Sequence, residues 1–391
     1  MPKKAFDTFR NISVLYSGTF AFMAGILSII LLQKGLDLSQ VGFYLVLYSI
    51  SVLLLEVPTG AFADAYGRKK AILLGFFLQV VFLSGFILLP NGSVFIAFAF
   101  IVAAADSMLS GSAEAYAIDL LSERGKLDYT HKLLASAKSW QFATFLIGSI
   151  IGGYVATFSI IYPVLLCIVF AVFGFLYSWM GLPDDRAKTN FVRSEKKILS
   201  NMSDALHYSL ANASIRTICL LSLLMGLGSF GLFAYWQPVL KEFAGWNTDS
   251  LGVFFALIST SIILGSKISS YLRSDWNTLV LLLFGLFIFL LIAALIPMPL
   301  AIAGSIVLWE LFWGAYITLE NTITNYNATS ELRATIISVR SMFYRLGWVV
   351  FGFVIALIGT GEPRLFWLMG ALFLLVGSVV AFIQSRNSCI R

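Results

Sequence analysis

The sequence predicts an all-α integral membrane protein in which about twelve helices cross the bilayer. Of its 391 residues, 59% are hydrophobic and 12% are charged, whereas a soluble domain carries about 25% charged residues. The apolar residues form long runs, among them 41–55, 71–89 and 278–296. A helix of about 20 residues spans the hydrocarbon core, and these runs do not alternate in polarity as barrel strands do. Helical spans therefore explain the pattern better than a β-barrel.

We place twelve spans at these runs. The first run is interpreted as a span and not as a signal peptide, because it is long and lacks a cleavage site. The predicted spans, numbered 1 to 12 in chain order, are 11–33, 39–62, 70–89, 94–120, 134–157, 160–181, 215–240, 248–272, 277–296, 300–326, 335–359 and 363–385.

The spans fall into two six-helix bundles, 1–182 and 215–391, joined by a cytoplasmic linker, 183–214. The bundles resemble each other: span 5 opens with Ser136-Ala-Lys138-Ser139 and span 11 opens with Ser338-Val-Arg340-Ser341. Such repeats predict two pseudo-symmetric halves, a plan found in secondary transporters. Apolar residues at helical spacing near Met202 indicate that the linker contains an amphipathic helix on the inner membrane surface, or else a solvated connection.

Basic residues fall mostly on one side of the predicted membrane. If the N-terminus is inside, the outer segments contain only Lys34, Lys241 and Arg364 among 26 lysines and arginines. The positive-inside rule then places both termini in the cytoplasm. It also explains the net charge of +6 without a nucleic-acid partner. The three cysteines lie far apart, which predicts neither a disulfide framework nor a metal site.

The loop between spans 2 and 3 carries the most specific motif, Gly60-Ala-Phe-Ala-Asp64-Ala-Tyr-Gly67-Arg68-Lys69-Lys70. It resembles the signature of the major facilitator superfamily, Gly-x-x-x-Asp-x-x-Gly-Arg-x-Lys/Arg, with Ala65 in place of a usual basic residue. The resemblance implies a secondary transporter of the bacterial drug or metabolite efflux type, without a cofactor. It also implies a monomer in the bacterial cytoplasmic membrane.

The same resemblance implies a conformational latch at the inner end of span 2, in which Asp64 locks against the start of span 11, near Thr335 and Ser338, in the outward-open state. Glycines allow a tight turn, and Arg68 can pair with a carboxylate at the same depth. The alternative is that the basic residues only fix the topology. The expected latch residues are Gly60, Asp64, Gly67, Arg68, Lys70 and Asp119.

Span 5 contains the sequence Gly148-Ser-Ile-Ile-Gly152-Gly153. It resembles the Gly-Pro-x-x-Gly-Gly motif of exporters in this family, with Ser149 replacing proline. This resemblance favours export over uptake. Ordinary packing of small residues between helices is the alternative.

Charged residues within the spans are expected to pair or to line a cavity, because an isolated charge is costly in hydrocarbon. In the first half, Glu114 and Lys138 lie at similar distances from the inner ends of their helices. In the second half, Glu320 and Arg340 also lie at similar distances from the inner ends of their helices. We expect both pairs to be structural ion pairs.

Asp106 and Glu310 lie nearer the middle of spans 4 and 10 and have no base at matching depth, although Arg345 lies near that depth. A buried carboxyl group without a partner can carry a proton, because burial disfavours its charged form. These two residues are therefore the candidates for proton coupling. A hydrogen bond between helices is the alternative role.

Aromatic residues on spans 1, 7 and 10 are candidates for the wall of a substrate cavity. An aromatic cavity with one or two acids suits an amphiphilic or cationic organic solute. Packing against lipid or protein is the alternative. The candidates are Tyr16, Phe20, Phe230, Phe233, Trp309, Trp313 and Tyr316.

Together these features predict a proton-coupled antiporter that exports a small organic molecule by alternating access. Proton-coupled uptake of a metabolite is the alternative. A membrane-embedded enzyme would need a nucleophile with its base, or a metal cluster, inside the spans. No predicted span contains a histidine, and no cysteines pair. We therefore expect neither an enzyme nor a metal site.

Overall fold

The computed structural model describes residues 3–89, 95–123, 125–183, 191–328, 333–359 and 362–389. In this part of the chain the regular structure is entirely helical, and a helix or a bent helix pair occupies each predicted span. The helices of spans 1 to 12 are, in order, Lys3–Ala24 with Leu27–Gln33, Leu38–Tyr66, Arg68–Leu88, Phe98–Ser122, Thr130–Ala156, Ile161–Gly181, Ala213–Ala244, Thr248–Ser269, Trp276–Leu295, Pro299–Asn327, Arg333–Ile358 and Pro363–Cys389.

Most of these helices have the length and composition of membrane spans. Among the described residues, nine single helices are long and apolar enough to cross a bilayer, and the bent pair of span 1 makes a tenth. Spans 4 and 5 fall outside this set. Polar side chains lower their mean hydropathy, including Asp106 and Glu114 in span 4 and Lys138 in span 5.

Local sequence explains where several helices begin and end. The side chain of Asn212 accepts a hydrogen bond from the backbone N–H of Ile215, which caps span 7. Asp275 caps span 9 in the same way through Thr278. Gly67 separates spans 2 and 3 with φ of 100°, a conformation that favours glycine. The tight turn predicted for the signature loop therefore forms at this residue.

The chain forms two compact units. The first contains Met1–Leu36, Ile50–Ile198 and Asn247–Ala256, and the second contains Asp37–Ser49, Leu199–Trp246 and Leu257–Arg391. These units differ from the predicted halves in two segments. The beginning of span 8 groups with the first unit, and the beginning of span 2 groups with the second.

The first unit has a core near the helix ends on the side of the signature loop. Spans 1, 3, 4 and 5 contribute the fully buried side chains of this core. Ile12, Phe76 and Leu109 are among them. The long apolar runs of the sequence thus bury part of their surface against one another and leave the rest on the outside, as in other helical membrane proteins.

The second unit includes, from Leu199 onward, the helix that the linker was predicted to contain. This helix, Phe191–Ala211, lies between spans 6 and 7 and is additional to the helices of the twelve spans. Its residue Ala205 is buried in a cluster with Ile215 and Ile336 at the beginnings of spans 7 and 11. The hydroxyl of Tyr208 donates a hydrogen bond to the backbone carbonyl of Asn327 at 3.4 Å. The helix is thus packed on the second unit along part of its length.

Glycines bring helices close together within the first unit. A Cβ atom on Gly152 would lie 1.9 Å from the backbone oxygen of Phe22, and one on Gly148 would lie 2.6 Å from Cβ of Ala21. Spans 1 and 5 therefore approach so closely that only glycine fits. This packing accounts for two of the three glycines in the sequence that resembles an exporter motif.

Span 1 bends by 60° between Phe6–Ala24 and Leu27–Gln33. Gly25 lies at the bend, where an added Cβ would be 3.1 Å from Cα of Gly252 and 3.1 Å from Cβ of Phe255. Only a residue without a side chain gives this approach freely. The sequence predicted span 1 as one continuous helix, and the structure divides it at this glycine.

Candidate functional site

The second unit contains a cavity of about 360 Å³ that is lined by both aromatic and charged side chains. Spans 7, 10 and 11 supply most of its wall, and Tyr48 and Ser49 of span 2 complete it. Its volume lies within the range of small-molecule sites, about 300–1,000 Å³. The cavity is therefore large enough for a small organic ligand.

One face of span 11 forms a polar wall of the cavity. Arg340, Tyr344 and Trp348 follow one another at intervals of four residues, and Arg345 lies on the same side. Residues at this spacing share one face of a helix. Tyr344 and Trp348 were not among the candidates from the sequence. Their spacing from Arg340 is the signal that identifies them.

Glu320 of span 10 is the acidic residue of the cavity wall, and its carboxylate is fully engaged. Nη1 of Arg340 lies 2.6 Å from its Oε2. Its other oxygen accepts hydrogen bonds from the hydroxyls of Ser222 at 2.6 Å and Tyr316 at 3.1 Å. The predicted pair between spans 10 and 11 is therefore present, and two hydroxyl donors that the sequence did not indicate support it.

Aromatic rings pack around the cavity from spans 7, 10 and 11. Phe233 contacts the rings of Trp309, Trp313 and Trp348 at centroid distances of 6.0, 5.2 and 5.4 Å. The indole N–H of Trp348 donates to the hydroxyl of Ser229, which also bonds to the Tyr344 hydroxyl. These contacts hold the aromatic side chains in fixed positions.

The seven aromatic candidates do not share one site. Trp313 and Tyr316 line the cavity. Phe230 and Trp309 are fully buried and pack behind the wall, where Phe230 contacts Trp348 and Trp309 stacks on Trp313. Tyr16 and Phe20 belong to the first unit, where Tyr16 packs on the core of that unit and Phe20 contacts Phe145. The aromatic candidates on spans 7 and 10 thus lie in or behind the cavity wall, whereas those on span 1 do not contribute to it.

Three hydrogen-bond donors in the cavity wall have no acceptor among the described residues. Nε1 of Trp313 and Nε of Arg340 are buried without a partner. Arg345 forms no ion pair or hydrogen bond within the described ranges. It lies at the middle of the 26-residue helix Arg333–Ile358, where an unpaired charge is most costly.

Glu310 lies on span 10, close to this cavity along the helix but outside its wall. Only 2% of the residue is exposed. Its Oε2 has no hydrogen-bond partner, and in the described part of the chain no cation, including Arg345, pairs with it. Glu310 thus occupies the environment that the sequence predicted for it.

Asp106 has a different environment from Glu310. The side-chain amide of Gln79 in span 3 donates a hydrogen bond to Oδ1 of Asp106 at 2.8 Å. Gln79 is 2% exposed and interrupts an otherwise apolar run. This geometry matches the alternative role considered for Asp106, a hydrogen bond between helices.

The first-half ion pair predicted between Glu114 and Lys138 is absent. Both residues are exposed, and no ion pair joins them in the described structure. Spacing along the helices placed the two charges at similar depth. It could not show whether their side chains face each other around the helix axes.

The signature loop connects the ends of three helices through Arg68. Nε of Arg68 lies 2.8 Å from Oδ2 of Asp119, and its Nη2 lies 3.3 Å from Oδ1 of Asp64. The arginine is 17% exposed. Gly60 lies within the helix of span 2, and Lys70 is exposed on span 3. One cation therefore joins the ends of spans 2, 3 and 4.

The sequence model of the Major Facilitator Superfamily matches residues 11–352. The chain belongs to the major facilitator superfamily. A curated relative, the uncharacterised MFS-type transporter YxaM of Bacillus subtilis (strain 168), is 26% identical over 253 residues. The match covers 64% of this chain and 62% of that relative, which is less than two thirds of its length.

Solved structures of other superfamily members share the fold. The nucleoside transporter NupG matches with a TM-score of 0.79 at 13% identity, over 97% of this chain and 98% of NupG. A bacterial homologue of the human lysosomal transporter Spinster matches with a TM-score of 0.75 at 12% identity, over 98% and 97% of the two chains. This superfamily member therefore has the multi-pass membrane fold predicted from its sequence.

Proposed function

We propose that this transporter couples the movement of a small organic solute through the second-unit cavity to the movement of protons. The supporting observation is Glu310, a carboxyl group that is 2% exposed and has no partner in the described structure. An ionised carboxylate in this position is costly, and binding of a proton removes its charge. Glu310 would therefore change its charge only when the transport cycle gives it access to water.

Of the two predicted coupling residues, Glu310 is the one that we now propose as the proton carrier. Asp106 accepts a hydrogen bond from the side-chain amide of Gln79. This bond stabilises the carboxylate of Asp106, so binding of a proton is not needed to offset its burial. We propose a structural role for Asp106. We also propose a structural role for the pair of Arg340 and Glu320, because the two charges compensate each other.

The test uses proteoliposomes that contain a trapped pH-sensitive dye and the full-length protein. A library of organic solutes is added, and a transported solute is recognised by proton movement that depends on the protein. Glu310→Gln should abolish solute-dependent proton movement and retain downhill exchange of labelled solute. Glu114→Gln is the matched control, because Glu114 is an exposed, unpaired carboxylate in a span. Proton movement in Glu310→Gln equal to that of the parent would refute coupling at Glu310.

For the direction of transport, we propose export by antiport, with uptake by symport as the alternative. The support is the resemblance of span 5 to exporters in this family. The same assay separates the two, because antiport and symport move protons in opposite directions relative to the solute. Proton movement in the same direction as the solute would replace export with symport.

A further inference from the structure

We propose that the second-unit cavity binds an aromatic or amphiphilic organic anion, and that Arg345 binds its anionic group. This inference rests on the proposed function in taking the cavity as the solute site, and it names the substrate class. It differs from the amphiphilic or cationic solute that the sequence indicated. The argument depends on the charges, the free donors and the aromatic wall of the cavity.

The charges of the cavity wall favour an anion. Its charged residues are Glu320, Arg340 and Arg345. Arg340 and Glu320 neutralise each other at 2.6 Å. Arg345 forms no ion pair with any described residue, so the side chains that line the cavity carry a net positive charge. A cationic solute would meet this charge at short range, where the membrane interior weakens screening.

Hydrogen-bonding capacity points the same way. Both carboxylate oxygens of Glu320 already accept hydrogen bonds or an ion pair, so the acid has little capacity left for a cationic ligand. The free groups of the wall are donors: Nε1 of Trp313, Nε of Arg340 and the guanidinium of Arg345. A ligand that satisfies them must supply acceptors, and a carboxylate, sulfonate or phosphate group does so with the added strength of a charged hydrogen bond.

The aromatic part of the wall determines the chemistry of the ligand beyond its anionic group. Trp313, Tyr316, Tyr344 and Trp348 line the same cavity as Arg345. Flat apolar rings stack well on such side chains. The cavity volume of about 360 Å³ is at the small end of ligand sites, so the geometry fits one or two fused rings with a single anionic group.

The test compares three probes of one shape: naphthalene-2-sulfonate, its neutral sulfonamide, and the cation 2-naphthylmethylammonium. Binding to the full-length protein in lipid nanodiscs is measured by calorimetry, without any gradient. We expect the sulfonate to bind about tenfold or more tightly than the sulfonamide, since a hydrogen bond to a charged group contributes enough for this ratio. We expect the ammonium probe to bind most weakly.

Variants of Arg345 assign the preference to this residue. Arg345→Gln should bind the sulfonate and the sulfonamide about equally, and Arg345→Lys should retain most of the preference. Arg273→Gln is the control, because Arg273 is exposed and lies outside the cavity wall. Removal of a costly unpaired charge should not lower the melting temperature, and a melting temperature at or above that of the parent verifies that Arg345→Gln is folded.

Four results would overturn the inference: no saturable binding of the sulfonate, equal binding of sulfonate and sulfonamide by the parent, tighter binding of the ammonium probe, or a full preference in Arg345→Gln. None of them depends on protons. If the parent protein prefers the sulfonate but moves no protons in liposomes, only the proposed function is contradicted. If it moves protons but does not prefer the sulfonate, only the substrate class is contradicted.

Discussion

At the scale of single residues, the buried pair of Glu320 and Arg340 shows what the sequence can and cannot predict. The same argument from depth predicted two pairs, and only the second is present. Glu320 is 4% exposed and gains two hydroxyl donors from other residues, whereas Glu114 and Lys138 are exposed. Linear spacing gives the depth of a side chain. Its rotation about the helix axis depends on tertiary packing, which one sequence does not specify.

The buried pair makes a prediction about stability. Arg340→Met leaves the carboxylate of Glu320 without its cation and should destabilise the protein by about 3–5 kcal/mol. The double variant Glu320→Leu with Arg340→Met removes both charges and should be more stable than the single variant. Thermal unfolding of the purified protein in detergent measures both effects. Lys138→Met, at the predicted pair that is absent, should change stability by less than about 0.5 kcal/mol.

Equal melting temperatures for Arg340→Met and the parent would show that the pair contributes nothing to the fold. A double variant less stable than the single would show that hydroxyls or solvent stabilise each charge separately. The cavity interpretation would then need to treat Arg340 as a second free cation.

At the scale of helices, the prediction from sequence was most complete. All twelve predicted spans coincide with helices, because runs of about 20 apolar residues carry a strong and redundant signal. The bend at Gly25 was not predicted, since an isolated glycine in a span is common and only its contact with Gly252 explains it. The cavity face of span 11 was only partly recognised, because Arg340 and Arg345 were considered by depth and not by face.

The contact between spans 1 and 5 makes a prediction at this scale. Gly152→Ala places a Cβ atom against the backbone oxygen of Phe22, which cannot move away as a side chain can. The variant should lose about 1–3 kcal/mol of stability, the usual range for overpacking. Gly111→Ala is the control, since nothing lies within 4 Å of its added Cβ.

Gly111→Ala should be neutral or gain about 0.5–1 kcal/mol, because alanine restricts the unfolded chain more than glycine does. Thermal unfolding of the two variants side by side measures the difference. If Gly152→Ala melts at the same temperature as Gly111→Ala, spans 1 and 5 can separate without cost, and the close packing is not required.

At the scale of the whole molecule, the signature loop should control the transport cycle. Arg68 joins Asp64 and Asp119, and charged hydrogen bonds of this kind contribute about 1.5–3 kcal/mol each. Arg68→Ala and Asp64→Asn should therefore reduce the rate of solute exchange by about tenfold or more, with normal insertion in the membrane. Lys126→Ala is the control, an exposed cation of another inner loop. Unchanged exchange in both loop variants would leave this motif with a role in topology only.

The orientation in the membrane also belongs to this scale. The sequence predicts that both termini are cytoplasmic, from the distribution of basic residues. A cysteine at Lys241 should react with a membrane-impermeant thiol reagent in intact cells, and one at Lys126 should react only after permeabilisation. Both sites are exposed, and Cys167 and Cys219 are buried. Replacement of Cys389 by serine in both variants limits background reaction. The opposite labelling pattern would invert the topology.

The uncompensated charge of Arg345 also has an electrical consequence. An empty carrier holds the positive charge of Arg345 near the middle of its helix, and a bound monovalent anion cancels that charge. Moving a full elementary charge through the membrane potential changes the free energy by about 2.3 kcal/mol per 100 mV, and a mid-membrane charge experiences part of that. The membrane voltage should therefore act differently on the reorientation of the empty carrier and of the carrier that holds an anion. Current recordings on supported membranes should show this dependence in the parent and lose it in Arg345→Gln.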